Sequence, residues 1–138
     1  MSQHEQAAQD LSERHDLDAL VGLCAQNLLA SAEERVFFKD LDSRFLLVSQ
    51  GWLNAEAQGR SIGEVLGKTD YDFFDEQHAA EALEDERQII ATGEPIVAKI
   101  ECETFQDRPD CWVSTTKMAL RDASGAIVGT FGISRDVT

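Results

Sequence analysis

Apolar positions change period twice along the chain. Between residues 11 and 32 they fall at Leu11, Leu17, Leu20, Val21, Cys24, Leu28 and Leu29, a spacing that predicts one amphipathic helix. Residues 1–9 are polar and predict no packed element. Residues 35–40 and 44–49 are β-prone around a Leu41-Asp42-Ser43 turn, the pattern of a hairpin. Residues 50–58 and 61–66 predict two short helices; Ser61 and Glu64 have capping-box spacing, and Gly67 ends the second. Residues 75–92 predict a longer helix stopped by Gly93. Three strand-like stretches follow, at 95–103, 111–120 and 126–137, separated by polar turns at 106–110 and 122–125. Strands segregated from helices in this order predict an α+β fold with an antiparallel sheet.

The length of 138 residues fits one domain, and 43% hydrophobic with 28% charged residues is the balance of a globular chain rather than a disordered one. Charge changes the picture more. The net charge is −14, which opposes binding to a phosphate backbone or an anionic membrane. It is also localised: residues 1–34 hold seven acids and one base, residues 70–86 hold eight acids and no base, and the rest is balanced. Neither stretch has the alternating carboxylates of a calcium loop, so both are expected to be solvated helix faces.

Cys24, Cys102 and Cys111 are too scattered for a disulfide framework, and no Cys-x-x-Cys pair points to zinc. Pairing residues that sum to 216 across the 106–110 turn sets Cys102 against Ser114, which keeps it from Cys111. The acidic N-terminus has no basic signal-peptide region and no apolar run reaches roughly 18 residues, so a reduced cytoplasmic setting is expected. Catalysis needs a nucleophile and base in reach of each other. Cys111 with a distant histidine and Glu101 with Lys117 are candidates on paper, and no motif brings either together. An enzyme is not expected.

The order and several local motifs resemble a PAS domain, of the kind attached to bacterial diguanylate cyclases and to the sensor histidine kinases of two-component systems. The resemblance is carried by the hairpin from Phe37 to Ser49, the Ser61-to-Phe73 segment, Ala91-Thr92-Gly93-Glu94-Pro95, Trp112, the Leu120-to-Gly125 turn and the Gly132-to-Thr138 ending. It implies a PAS fold over residues 34–138, a five-stranded antiparallel sheet with helices on one face, preceded by an N-terminal amphipathic flanking helix in residues 1–33. Family members hold haem, flavin, another chromophore or a small metabolite between helices and sheet, or leave that space empty.

The residues speak against two of these. The photoactive flavin site of the family needs a cysteine after the middle helix, where this chain has Lys68-Thr69-Asp70-Tyr71-Asp72, and Ser134 stands where a flavin-binding glutamine would be. The axial histidine of the oxygen-sensing haem members would fall at Ala82; His78 is one turn away and is expected to be a surface histidine, as are His4 and His15. The cofactor is left unassigned.

Two registers of the sheet are open. By alternation, Ile96, Ala98, Ile100 and Cys102 share a face with Trp112, Met118, Phe131 and Ile133, which pattern alone would make the core. Registering the strands on flavin-binding relatives turns the polar set inward instead and leaves the apolar set for the N-terminal helix or a second subunit. The second register is adopted because it gives both apolar surfaces a partner. It implies a ligand pocket lined by Phe37, Leu47, Trp52, Tyr71 and Phe74 and floored by Lys99, Glu101, Thr115, Lys117 and Ser134. The floor reads either as a structural Glu101–lysine pair or as a seat for a small polar metabolite, with an anion one of the options. The ending resembles the Asp-Ile-Thr signature that closes many PAS domains, which gives Arg135, Asp136 and Thr138 the role of passing a signal to a covalently attached output domain. The function implied is a sensory module that binds a small ligand and dimerises through the N-terminal helix and outer sheet face. The alternative is a constitutive dimerisation module with a collapsed, ligand-free pocket.

Overall fold

The structure, a computed structural model, describes residues 2–12 and 16–138. Two helices lead the chain, α1 (Gln3–Ser12) and α2 (Leu17–Ala30). The single helix expected from residue 11 to 32 is therefore divided: Asp16 has extended backbone and caps α2 by accepting from the Ala19 N–H at 3.1 Å. Residues 13–15, His15 among them, lie outside the described residues. The polar first residues expected to form no element are helical from Gln3.

The hairpin strands are β1 (Arg35–Asp40) and β2 (Phe45–Val48). They are followed by α3 (Gln50–Glu56), α4 (Ile62–Val65), a 3-10 turn at Asp70–Asp72 and α5 (Glu76–Thr92). The capping box at Ser61 and Glu64 is formed, and Gly93 ends α5 with φ +74°, a conformation in which a side chain is strained. Strands β3 (Ile96–Glu103), β4 (Cys111–Arg121) and β5 (Ile127–Asp136) complete one antiparallel sheet in the order β2-β1-β5-β4-β3. No described helix is long and apolar enough to cross a membrane.

Two irregularities decide which side chains face the helices. Phe38 pairs with Leu47 but Lys39 pairs with Phe45, so a bulge turns Leu46 and Leu47 outward and Phe45 and Val48 inward. In β3, Ala98 adopts φ +50° between the pairs Ile96–Lys117 and Lys99–Thr115, which leaves Val97 exposed and restores alternation from Lys99 onward. The hairpin of β3 and β4 is offset by two residues from the expected register: Cys102 faces Trp112, not Ser114, and Cys111 faces Glu103. All three cysteines are free.

The buried apolar cluster is aromatic and lies at one end of the sheet. Phe37, Phe45, Trp52, Phe73 and Phe74 gather there with Val48 and Val65. Phe45 and Trp52 sit 4.8 Å apart between ring centres, and Trp52 meets Phe73 edge-on at 5.3 Å. Two glycines permit the strands to close on this cluster. A Cβ at Gly132 would stand 2.6 Å from the Phe37 ring and from the Thr116 carbonyl, and one at Gly129 would stand 1.9 Å from the Lys39 carbonyl.

Candidate functional site

The inner face of the sheet is polar. Glu101 and Glu103 of β3, Thr115 and Lys117 of β4, Thr130 and Ser134 of β5 and Lys39 of β1 are all buried, while Ile100 and Trp112 on the reverse face are exposed. Burial of this set follows from the helix above it. α5 turns His78, Ala82 and Glu86, one turn apart in sequence, toward the sheet, and all three are buried.

Lys39, Lys117, Glu86 and Asp70 form a charge network in which Glu86 Oε1 alone is buried without a hydrogen bond. Lys39 Nζ donates to Asp70 at 2.6 Å and to Glu86 at 2.8 Å, and Lys117 Nζ donates to the same Glu86 oxygen at 2.9 Å. Burial favours the neutral acid at Glu86, but the two ammonium groups outweigh it and hold the carboxyl down to about 2. Burial likewise opposes the charge on Lys39, and attraction to Asp70 and Glu86 raises its pKa above the ordinary value all the same. Thus the acidic stretch at residues 70–86 is not uniformly a solvated face. Asp70 and Glu86 are inside, neutralised by lysines from the sheet.

A second cluster sits where β1, α3 and β3 meet. Arg35 lies 3.5 Å from Glu56 and 3.8 Å from Glu103, and its other terminal nitrogen lies 3.8 Å from Asp136. Burial, and then the repulsion and hydrogen bond of the adjacent Glu56, push the Glu103 carboxyl up to about 10. Burial raises Glu56 as well, offset by its bond to Glu103 and by Arg35. Glu103 therefore keeps its proton at neutral pH, beside Glu56 and Arg35.

Between these clusters is a chamber of about 20 Å³ free volume, room for one or two water-sized groups. Phe37, Phe45, Trp52 and Phe74 wall it on the apolar side; Lys39, Asp70, His78, Ala82, Glu101, Glu103, Thr115, Lys117 and Ser134 close it elsewhere. Three of these groups carry buried atoms with no hydrogen-bond partner: Glu101 Oε2, Glu103 Oε1 and His78 Nδ1. Phe74 also walls an outer cleft of about 210 Å³, bordered by Tyr71, Phe73, Arg60 and Arg108.

Seven of the ten expected pocket residues come together around the chamber: Phe37, Trp52, Phe74, Glu101, Thr115, Lys117 and Ser134. Three do not. Leu47 is turned to the outer face by the β2 bulge. Tyr71 lies in the 3-10 turn, half exposed, and borders the outer cleft. Lys99 points inward on β3, but β3 is the edge strand, and its ammonium reaches Glu81 and Asp85 of α5, each at 2.8 Å. Glu101 has no lysine within ion-pair distance among the described residues, so the expected structural pair is absent. The lysine charges are taken by Asp70 and Glu86, which also removes the reason to expect an anion. His78, expected at the surface, is buried against Phe74 with ring centres 4.5 Å apart. Six chamber residues lie outside the expected set, Lys39, Phe45, Asp70, His78, Ala82 and Glu103, although Lys39 shares the parity of Phe37 along β1 and Glu103 that of Glu101 along β3. At the C-terminus Asp136 accepts from the Thr138 N–H at 2.8 Å, and Trp112 N–H donates to Thr138 Oγ1 at 3.3 Å. The arginine beside Asp136 is Arg35; Arg135 is exposed.

A family model described as PAS fold matches residues 29–138. The chain belongs to the PAS fold family. Among curated proteins, this PAS domain is 28% identical over 113 residues to the methanogenesis regulatory histidine kinase FilI of Methanothrix harundinacea (strain 6Ac), covering 82% of this chain and 12% of FilI. Among solved structures it superposes on VqmA bound to DPO with a TM-score of 0.72 and 26% identity, over 84% of this chain and 57% of that one. A Vibrio cholerae VqmA dimer solved in the absence of target DNA gives the same score and identity over 52% of its chain. A PAS domain from Colwellia psychrerythraea, 13% identical, matches 86% of this chain and 98% of its own at a TM-score of 0.70, a likeness of fold alone. The chain thus spans an eighth of its curated relative and about half of the VqmA chains.

Proposed function

We propose that this PAS domain is a cytoplasmic sensor module that binds a small polar metabolite in the chamber, pairs with a second copy, and reports to an attached output domain. The observation that carries the reading is the set of unpartnered buried polar atoms on one cavity. A core filled for stability alone satisfies such groups, because each one left bare costs roughly 1–3 kcal/mol. Ligand binding in VqmA and the regulatory role of FilI support it. A second copy is supported by apolar surface left open on one. No residue of α2 is buried, Leu17, Val21 and Leu28 are more than half exposed, and Ile100 and Trp112 are open on the outer sheet face. Signal would leave through Asp136 and Thr138, which tie the end of β5 to Arg35 and Trp112.

The chamber's small free volume favours a second reading, a constitutive interaction module whose interior is filled by its own side chains. A thermal-shift screen of small metabolites on the wild type and on Ala82→Phe, which plugs the chamber, separates the two. Sensing predicts a compound that raises the melting temperature saturably in the wild type and not in the plugged variant. Compounds acting equally on both would contradict it.

A further inference from the structure

Glu101 is 6% exposed and, among the described residues, has no cation within ion-pair distance. Around it the other charges are matched. Lys39 and Lys117 face Asp70 and Glu86, while Arg35 lies 3.5 Å from Glu56 and 3.8 Å from Glu103, whose carboxyl is raised to about 10 and keeps its proton. The chamber therefore holds one carboxylate too many, and its buried atoms without a hydrogen bond, Glu101 Oε2, Glu103 Oε1 (3.8 Å from Arg35) and His78 Nδ1, are all able to accept one. An ion that neutralises the excess and donates to three acceptors fits this arrangement better than a neutral or anionic group does. The free volume admits a head of one or two non-hydrogen atoms; anything longer needs the outer cleft, with which the chamber shares Phe74 as a wall.

We propose that the chamber takes the ammonium group of a small primary amine, docked on Glu101 with Glu103 and His78, with the remainder of the molecule extending past Phe74 into the outer cleft. The inference rests on the sensor reading above and specifies the chemistry of its ligand. Lys39 and Lys117 do not oppose it, since their charges are cancelled at 2.6–2.9 Å by carboxylates that no ligand needs.

The test is a titration of the ¹⁵N-labelled full chain, followed by amide shifts, with methylammonium and ethanolamine. Ethanol and ethylene glycol are the neutral controls and acetate is the anionic one. The expected result is saturable shifts at residues 101, 103, 115 and 117 for the amines alone, weakened at least tenfold in Glu101→Gln. Equal binding by the neutral probes or by acetate, or an unweakened Glu101→Gln, overturns the amine assignment and leaves the sensor reading standing. No saturable shift with any probe, in a chain whose spectrum is folded, overturns both. Probe selectivity in the wild type decides the matter even if the variant does not fold.

Discussion

Lys117 and Lys39 converge on one oxygen of Glu86, from β4 and β1 to α5, at 2.9 and 2.8 Å. That oxygen pins the long helix to the middle of the sheet and fixes the height of the chamber roof. Removing the carboxylate leaves two buried ammonium groups with Asp70 alone. Glu86→Ala should cost about 3–5 kcal/mol by denaturant unfolding, the range for breaking a buried charge pair from one side. Replacing Lys39, Glu86 and Lys117 together by apolar residues of similar size should cost much less, and a triple variant as unstable as Glu86→Ala would contradict the network's role.

Stability should fall on both sides of mildly acidic pH, for opposite reasons. The Glu86 carboxyl is held down to about 2 in the folded chain against 4.5, so its contribution is complete above about 4.5 and is lost as pH falls toward 2. Glu103 is raised to about 10, so folding is favoured with its proton on, and this contribution is lost progressively as pH rises from about 4.5 to 10. Glu103→Gln should flatten the alkaline limb and leave the acid limb in place. Melting curves between pH 3 and 9 read both limbs, and an unchanged alkaline slope in the variant would contradict a proton held on Glu103.

Hairpins, caps and the order of elements were legible because each rests on local chemistry: Ser61 with Glu64, Gly93 after α5, and the polar turns. The sheet face was legible only through the resemblance, since alternation alone would have buried Ile100 and Trp112. What neither showed depends on events one residue wide. A bulge beside Lys39 turned Leu47 out, and the positive φ of Ala98 reset β3. The burial of Asp70, His78 and Glu86 was hidden because composition marks an acidic stretch but not where its counter-charges fold to. Lys99, on the edge strand, shows the same limit in reverse.

Gly129→Ala tests the close approach of β5 to β1. The added methyl meets the Lys39 carbonyl at 1.9 Å, and the strand that would have to move carries the network's lysine. A loss of about 2 kcal/mol or more is expected, in the upper range for overpacking. Gly125→Ala in the exposed turn meets no atom within 4 Å, and only its positive φ opposes it.

The outer surface makes a separate prediction. Trp112→Glu and the pair Val21→Glu with Leu28→Glu should each lower the mass of the assembly toward one chain in light scattering, without lowering the melting temperature of the fold itself. A wild type that is already monomeric at high concentration would contradict the pairing.

The central claim, that the polar interior is a binding chamber and not a filled core, is met most directly by native mass spectrometry of the freshly purified full chain, exposed to a small-metabolite extract and then desalted. A stoichiometric mass excess per chain is expected, and it disappears when Ala82→Phe plugs the chamber. Bare polypeptide mass from both proteins, after exposure to the same extract, would contradict it.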